Sequence, residues 1–352
     1  MILDLSPYGL NWKIDTSNPA AEIIPANYKN LISKTVISGS DYVVDNKVRY
    51  AKGAFLGAGS YGNVYECTKA GSPTCIVKEM VYDDSEQFRN TIAEVIIQII
   101  VVKETESSNY PAYNLKGPFA PRVFTFGYNA ASGTAFIFAE KMYKTVRNLI
   151  QPWTDEGGSI AYILSRIAMI LSELYTKLAF NHRDFKSDNC MYIRDTTGKF
   201  MPRIIDFGFA CIKYNNITIN ANTSRFAYCS IEGRDMSQMI YENVHYYPTA
   251  VGIFKPVGEA LLTYVRNGKV CKVLGGKCGV TTWGNTYRFF NSKSGENPNG
   301  HPGIVKNVCL AFLEGRKWEN ELAWPSKRVA VPAPAPGPAA PCQTAPAAKR
   351  RH

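Results

Sequence analysis

Two carboxylates and one carboxamide stand at a spacing that chemistry can use. In the run NHRDFKSDNC, His182, Arg183, Asp184 and Asn189 keep the order H-R-D-x-x-x-x-N. After a short polar insertion, IIDFGFA supplies Asp206, Phe207 and Gly208 as D-F-G. Hard oxygen donors on two neighbouring loops suit Mg²⁺, which keeps a few protein ligands and takes the rest from phosphate and water. Phosphoryl transfer asks little covalent work of a protein and much positioning and charge neutralisation. In such a reaction Asp184 accepts or orients the proton of an attacking hydroxyl, while Asn189 and Asp206 hold the metal. The apolar stretches Phe185 to Met191 and Ile204 to Ile205 read as short buried strands carrying the two loops.

The elements needed to place a triphosphate against these loops lie upstream. From Val48 the pattern is strand and turn: KVRYAKGAFL, then a glycine-rich turn, NVYECTKA, a turn at Gly71, Ser72 and Pro73, and TCIVKEM. The glycine-rich turn, Gly57 to Val64, fits G-x-G-x-x-G-x-V, and its glycines let backbone N–H groups approach phosphate closely. A strand follows it, whereas a dinucleotide fingerprint opens a helix. Sixteen residues after Gly62, Lys78 ends the run Cys75-Ile76-Val77. Asp83 and Asp84, with Glu86 and Gln87 behind them, mark a helix start. Phe88, Ile92, Val95, Ile96 and Ile99 continue it as an apolar stripe. Glu94 lies within that helix and is the expected partner of Lys78, with Glu86 the competing choice in another register.

On these motifs the chain resembles the eukaryotic-type protein kinases, over about Lys47 to Tyr247. The resemblance implies an α+β, bilobal protein-kinase-like fold: a small antiparallel-sheet N-lobe with one helix and a larger, mainly helical C-lobe. It implies boundaries at 1–46 for an N-terminal extension, 47–142 for the first lobe and hinge, and 143–325 for the second. Leu56, Gly57, Gly59, Gly62 and Val64 would then cover ATP, Lys78 with Glu94 would anchor its phosphates, and Glu140 and Met142 would lie at the adenine-binding hinge behind Ala139. Lys186, two residues past Asp184, resembles the lysine that Ser/Thr kinases place at the γ-phosphate. ATP and Mg²⁺ are the implied cofactors and protein hydroxyls the implied acceptors. The pattern departs after Gly208, where no A-P-E closes the following segment and Asp235 is the best candidate for a helix-opening aspartate. Thr218, Thr223, Ser224 and Tyr228 offer hydroxyls there, with Arg183 as a phosphate partner. Two other readings remain: a nucleotide-binding pseudokinase scaffold, and a kinase acting on a small molecule.

Of the 352 residues, 45% are hydrophobic, enough for a large core. The net charge is +11, of which Lys349, Arg350 and Arg351 carry three, leaving eight on the rest. That balance favours acidic partners without indicating nucleic acid. No run reaches the ~18 apolar residues of a membrane helix, and the N-terminus has no basic region before an apolar run, so an intracellular location, cytoplasmic or nuclear, is expected. The nine cysteines form no C-x-x-C pair and read as free thiols. Residues 1 to about 45 show no clean period and read as a loosely packed extension. Helices are expected over Ser159 to Leu178, within GIFKPVGEALLTYVRNG and within GIVKNVCLAFLEG. The Pro/Ala-rich stretch 330–352 reads as a disordered basic tail.

Overall fold

The computed structural model describes residues 1–323 except 60–61, 83, 114, 151–156, 195–199, 223–228, 230, 232, 267–268, 275–288 and 291–296. The expected tail, Thr223, Ser224 and Tyr228 lie outside the described residues.

Seven strands close into a mixed barrel. In chain order they are Ser33–Ser38, Asp41–Val44, Val48–Gly59, Gly62–Thr68, Cys75–Val81, Val123–Asn129 and Thr134–Glu140. All neighbours pair antiparallel except at the seam, where Gly127 and Tyr128 run parallel to Ser33 and Lys34. Gly127 makes the seam possible, because a β-carbon there would sit 1.9 Å from Thr35 Oγ1. Alternate residues of the strands fill the barrel with Tyr42, Val44, Tyr50, Val77, Phe136 and Phe138. Tyr50 and Phe138 stack at 4.3 Å between ring centroids.

The bilobal expectation is therefore corrected: the antiparallel-sheet lobe is a closed mixed barrel, and the second half of the chain is not a mainly helical lobe. The first part of the reason lies in residues 1–45. They are tightly packed rather than loose, with Leu3, Leu5, Leu10 and Ile14 buried in the main core, and they supply the two strands that close the barrel. The second part is local. Cys190–Arg194 pairs with Phe200–Ile204, Cys211–Tyr214 with Ile217–Asn220, and Thr263–Arg266 with Lys269–Lys272, so three hairpins interrupt the helices. The last begins where a helix through GIFKPVGEALLTYVRNG was expected; the helix stops at Leu261, and β-branched residues alternate toward Asn267-Gly268, a hairpin pair in sequence. Asn215 turns the middle hairpin at φ 52°, a left-handed position asparagine tolerates.

The expected long helices exist. Ser85–Thr105 starts where Asp84 accepts a hydrogen bond from the Glu86 N–H at 2.8 Å, and its stretch Thr91–Val102 is buried all round. Gln98, inside that apolar stretch, is satisfied by the Pro121 carbonyl at 2.8 Å. Gly157–Leu178 lies on the same core, and Arg234–Tyr246 and Pro302–Leu313 complete it.

The cysteine reading is corrected too. The cross-strand register sets Cys67 opposite Cys75 and joins them, and Cys211 is joined to Cys229. Cys190 and Cys309 are free and buried. Among the described residues no helix is long and apolar enough to cross a membrane.

Candidate active site

Lys78 sits mid-barrel, paired with Val64 on one side and Ile137 on the other. Its ammonium lies 3.5 Å from Glu94 Oε1, one helix away; Glu94, not Glu86, takes this place. Asp206 converges on the same point: a β-carbon at Gly208 would lie 3.3 Å from Glu94 Oε2 and 3.5 Å from Asp206 Oδ1. Burial works against the charge of Lys78, but Glu94 and Asp206 outweigh it and hold the ammonium's pKa above its ordinary value. Burial, with help from Asp206, pushes the Glu94 carboxyl up against the pull of Lys78. One cation thus stands between two carboxylates with little water to screen them.

The loop from His182 to Asn189 faces this cluster. Lys186 Nζ reaches Asp184 Oδ2 at 2.8 Å, and Asn189 Nδ2 donates to the Asp184 carbonyl at 2.8 Å and to Oδ2 at 3.2 Å. Both side-chain bonds land on Oδ2. Burial opposes the charge of Lys186, and Asp184, Asp206 and Asp188 overcome it to raise its pKa. With its Nδ2 turned to Asp184, the Asn189 amide presents its oxygen the other way. Arg183 and Asp206 hold left-handed backbone at φ 69° and 62°, strain of the kind that marks functional loops.

What holds the loop is the helix Arg234–Tyr246. Asp235 accepts from the backbone N–H of His182 at 2.8 Å and of Arg183 at 3.0 Å. Gln238 accepts from the Phe185 N–H and donates to the Arg183 carbonyl, both at 3.2 Å. Glu242 Oε2 accepts from the N–H and the hydroxyl of Ser187, both at 2.7 Å. His182 Nε2 lies 2.8 Å from the Ile205 carbonyl, which only accepts, so that nitrogen carries the proton and ties the loop to the strand before Asp206. Gln238 and Glu242 escaped the sequence reading; their signal is a polar stripe at i, i+3 and i+7 from Asp235 in a helix whose Met236, Met239 and Ile240 are buried.

At the glycine-rich turn, Gly57 pairs with Val64 and Gly59 with Gly62. A β-carbon at Gly62 would sit 2.0 Å from the Glu79 carbonyl, so this glycine is required by the neighbouring strand, whereas Gly57 has nothing within 4 Å. Leu56 is exposed and Val64 lies beside it on the partner strand. Glu140, at the expected hinge, has its side chain engaged within the protein: its Oε2 accepts from the Arg122 N–H at 3.2 Å. Ala139 and Met142 are buried behind it.

The donor set fits Mg²⁺ bound to nucleotide. Among the described residues no three His, Cys, Asp or Glu side chains gather into a cage of their own. One carboxylate, Asp206, and one amide oxygen, that of Asn189, suit a Mg²⁺ site that takes its remaining ligands from phosphate and water.

No family model matches the chain, and neither does any curated protein. Among solved structures, the crystal structure of a kinase domain matches with 16% identity and a TM-score of 0.35, over 47% of this chain and 52% of that one. The chain spans about half the length of that domain.

Proposed function

We propose that the chain is an ATP- and Mg²⁺-dependent kinase that transfers the γ-phosphate to serine or threonine hydroxyls of proteins, acidic ones among them. The reading rests on the site rather than the fold. The observation that carries it is the meeting of the Lys78–Glu94 pair with Asp206 across from Asp184, Lys186 and Asn189. Bound Mg²⁺ would supply charge neutralisation on the phosphate oxygens, held by Asp206 and the Asn189 amide oxygen. Lys78 binds and orients the inner phosphates. Asp184 offers Oδ1 to the acceptor hydroxyl and takes its proton, while Lys186, anchored on Oδ2, sets a cation where charge builds on the transferred group.

The test is transfer of labelled γ-phosphate from ATP with Mg²⁺ to a panel of acidic and basic proteins. Label on serine or threonine, abolished by Asp184→Ala and by Asp206→Ala, supports the reading. Label that survives both substitutions, or its absence with Mg·ATP bound, would sink it.

A further inference from the structure

The disulfide partner Cys229 stands beside a fixed cation. Arg183 Nη2 lies 3.0 Å from Cys229 Sγ, while Arg183 Nη1 donates to Asn220 Oδ1 at 2.8 Å. Cys211, 5.8 Å away between α-carbons, is fully buried, whereas Cys229 is only partly so. Both ends of the bond are strapped to the loop that carries Asp184. Cys211 exchanges two backbone hydrogen bonds with Asn181, at 2.9 and 3.0 Å. The Asn181 side chain accepts from the Ile231 N–H at 2.6 Å and donates to the Ile231 carbonyl at 3.3 Å, just past Cys229.

We propose that Cys229 is a thiol–disulfide exchange site, with Cys211 as its resolving partner, that reversibly joins two points of the chain after Asp206, each hydrogen-bonded at or beside the cysteine to Asn181 at the start of the loop bearing Asp184. The co-reactant is a low-molecular-weight disulfide such as oxidised glutathione. A guanidinium at hydrogen-bond distance favours the thiolate, the form that attacks. The Cys229 thiolate bonds to one sulfur of the reagent, whose S–S bond breaks and releases a thiolate that takes up a proton. Cys211 then attacks Cys229 Sγ, and its proton passes to the second small thiolate, which leaves as the thiol. Two protein thiols and one disulfide become one protein disulfide and two small thiols, with two electrons passing to the reagent. Arg183, the residue that would otherwise meet a phosphate, is thereby committed to a sulfur and an amide oxygen.

The full-length protein, reduced and then treated with oxidised glutathione, is mapped by mass. The expected result is a Cys211–Cys229 link in the wild type and, in Cys211→Ser, a glutathione held on Cys229. An adduct on another cysteine, or no link, would overturn the proposal. In the reduced wild type, Cys229 is expected to be alkylated by iodoacetamide about threefold or more faster than free glutathione at neutral pH; an equal or slower rate removes the role given to Arg183. The consequence for catalysis rests on the kinase reading. Oxidised and reduced wild type should transfer phosphate at rates about threefold or more apart, with Cys211→Ser insensitive to redox state. Equal rates would overturn the coupling. Absence of transfer in both states would instead count against the kinase reading, since exchange at Cys229 is read by mass.

Discussion

Glu242 holds Ser187 twice with one oxygen, once through the backbone N–H and once through the hydroxyl, each at 2.7 Å. Ser187 sits between Lys186 and the Asp188–Asn189 turn, so this buried carboxylate sets the far end of the loop as Asp235 sets the near end. Glu242→Ala strands two buried donors, at a cost of about 1–3 kcal/mol for each group left unpaired. The expected outcome is a lower urea midpoint together with slower transfer. Ser187→Ala, which keeps the N–H bond, should lose less of both.

The same residue gives the stability a pH dependence. Burial, the largest influence, holds the Glu242 carboxyl above its ordinary 4.5 despite the hydrogen bonds from Ser187. A carboxyl raised in the fold binds more protons folded than unfolded. Its contribution is therefore complete below the unfolded value and is lost as pH rises through the folded one. Glu242→Gln cannot titrate, so urea midpoints between about pH 5 and 7.5 should fall less steeply than in the wild type. Glu94, raised in the same direction, retains its share of the slope in the variant. An unchanged slope would contradict the assignment.

Removing Lys78 leaves Glu94 and Asp206 facing each other. Lys78→Met should weaken nucleotide binding and lower transfer about a hundredfold or more, since an oriented charge in a water-poor site is lost. A double variant, Lys78→Met with Glu94→Gln, should recover stability and not transfer. Thermal melts and single-turnover rates on the same preparations separate the two effects.

Metal dependence tests Asp206. The wild type should bind ATP about tenfold or more tighter with Mg²⁺ than with EDTA, and Asp206→Asn should close that gap. Titration of a fluorescent ATP analogue in both buffers reads it directly.

The barrel seam is open to a paired test on glycines. Gly127→Ala places a β-carbon on Thr35 Oγ1 and should cost about 1–3 kcal/mol through overpacking. Gly57→Ala meets nothing within 4 Å and should leave the melting temperature unchanged.

The site was legible in the sequence because its residues come in short runs whose spacing is chemical: His182 to Asn189, Asp206 to Gly208, and Gly57 to Gly62. Even Glu94 followed from one glutamate standing in an apolar helix. The barrel was not legible, since its closure joins Ser33 to Gly127 across most of a hundred residues and depends on a missing side chain rather than a present one. The hairpin Cys211–Asn220 carries its own signal, alternating residues around Asn215-Asn216, which the missing A-P-E pattern does not reveal. Gln238 and Glu242 stayed hidden because a polar stripe on a helix means solvent unless something is known to pack on it. The disulfides stayed hidden because pairing depends on register: Cys67 and Cys75 face each other only once their strands are aligned.

The parallel seam also decides where the chain tolerates being cut. A recombinant fragment beginning at Lys47, the point where the recognisable motifs start, would lack Ser33–Ser38 and Asp41–Val44 and leave Val123–Asn129 and Val48–Gly59 as open edges. Unpaired N–H and C=O groups along those strands invite pairing with other molecules. Such a fragment would keep every residue assigned a chemical role and still be expected to precipitate, so a failed assay on it would report on the missing strands and not on the chemistry.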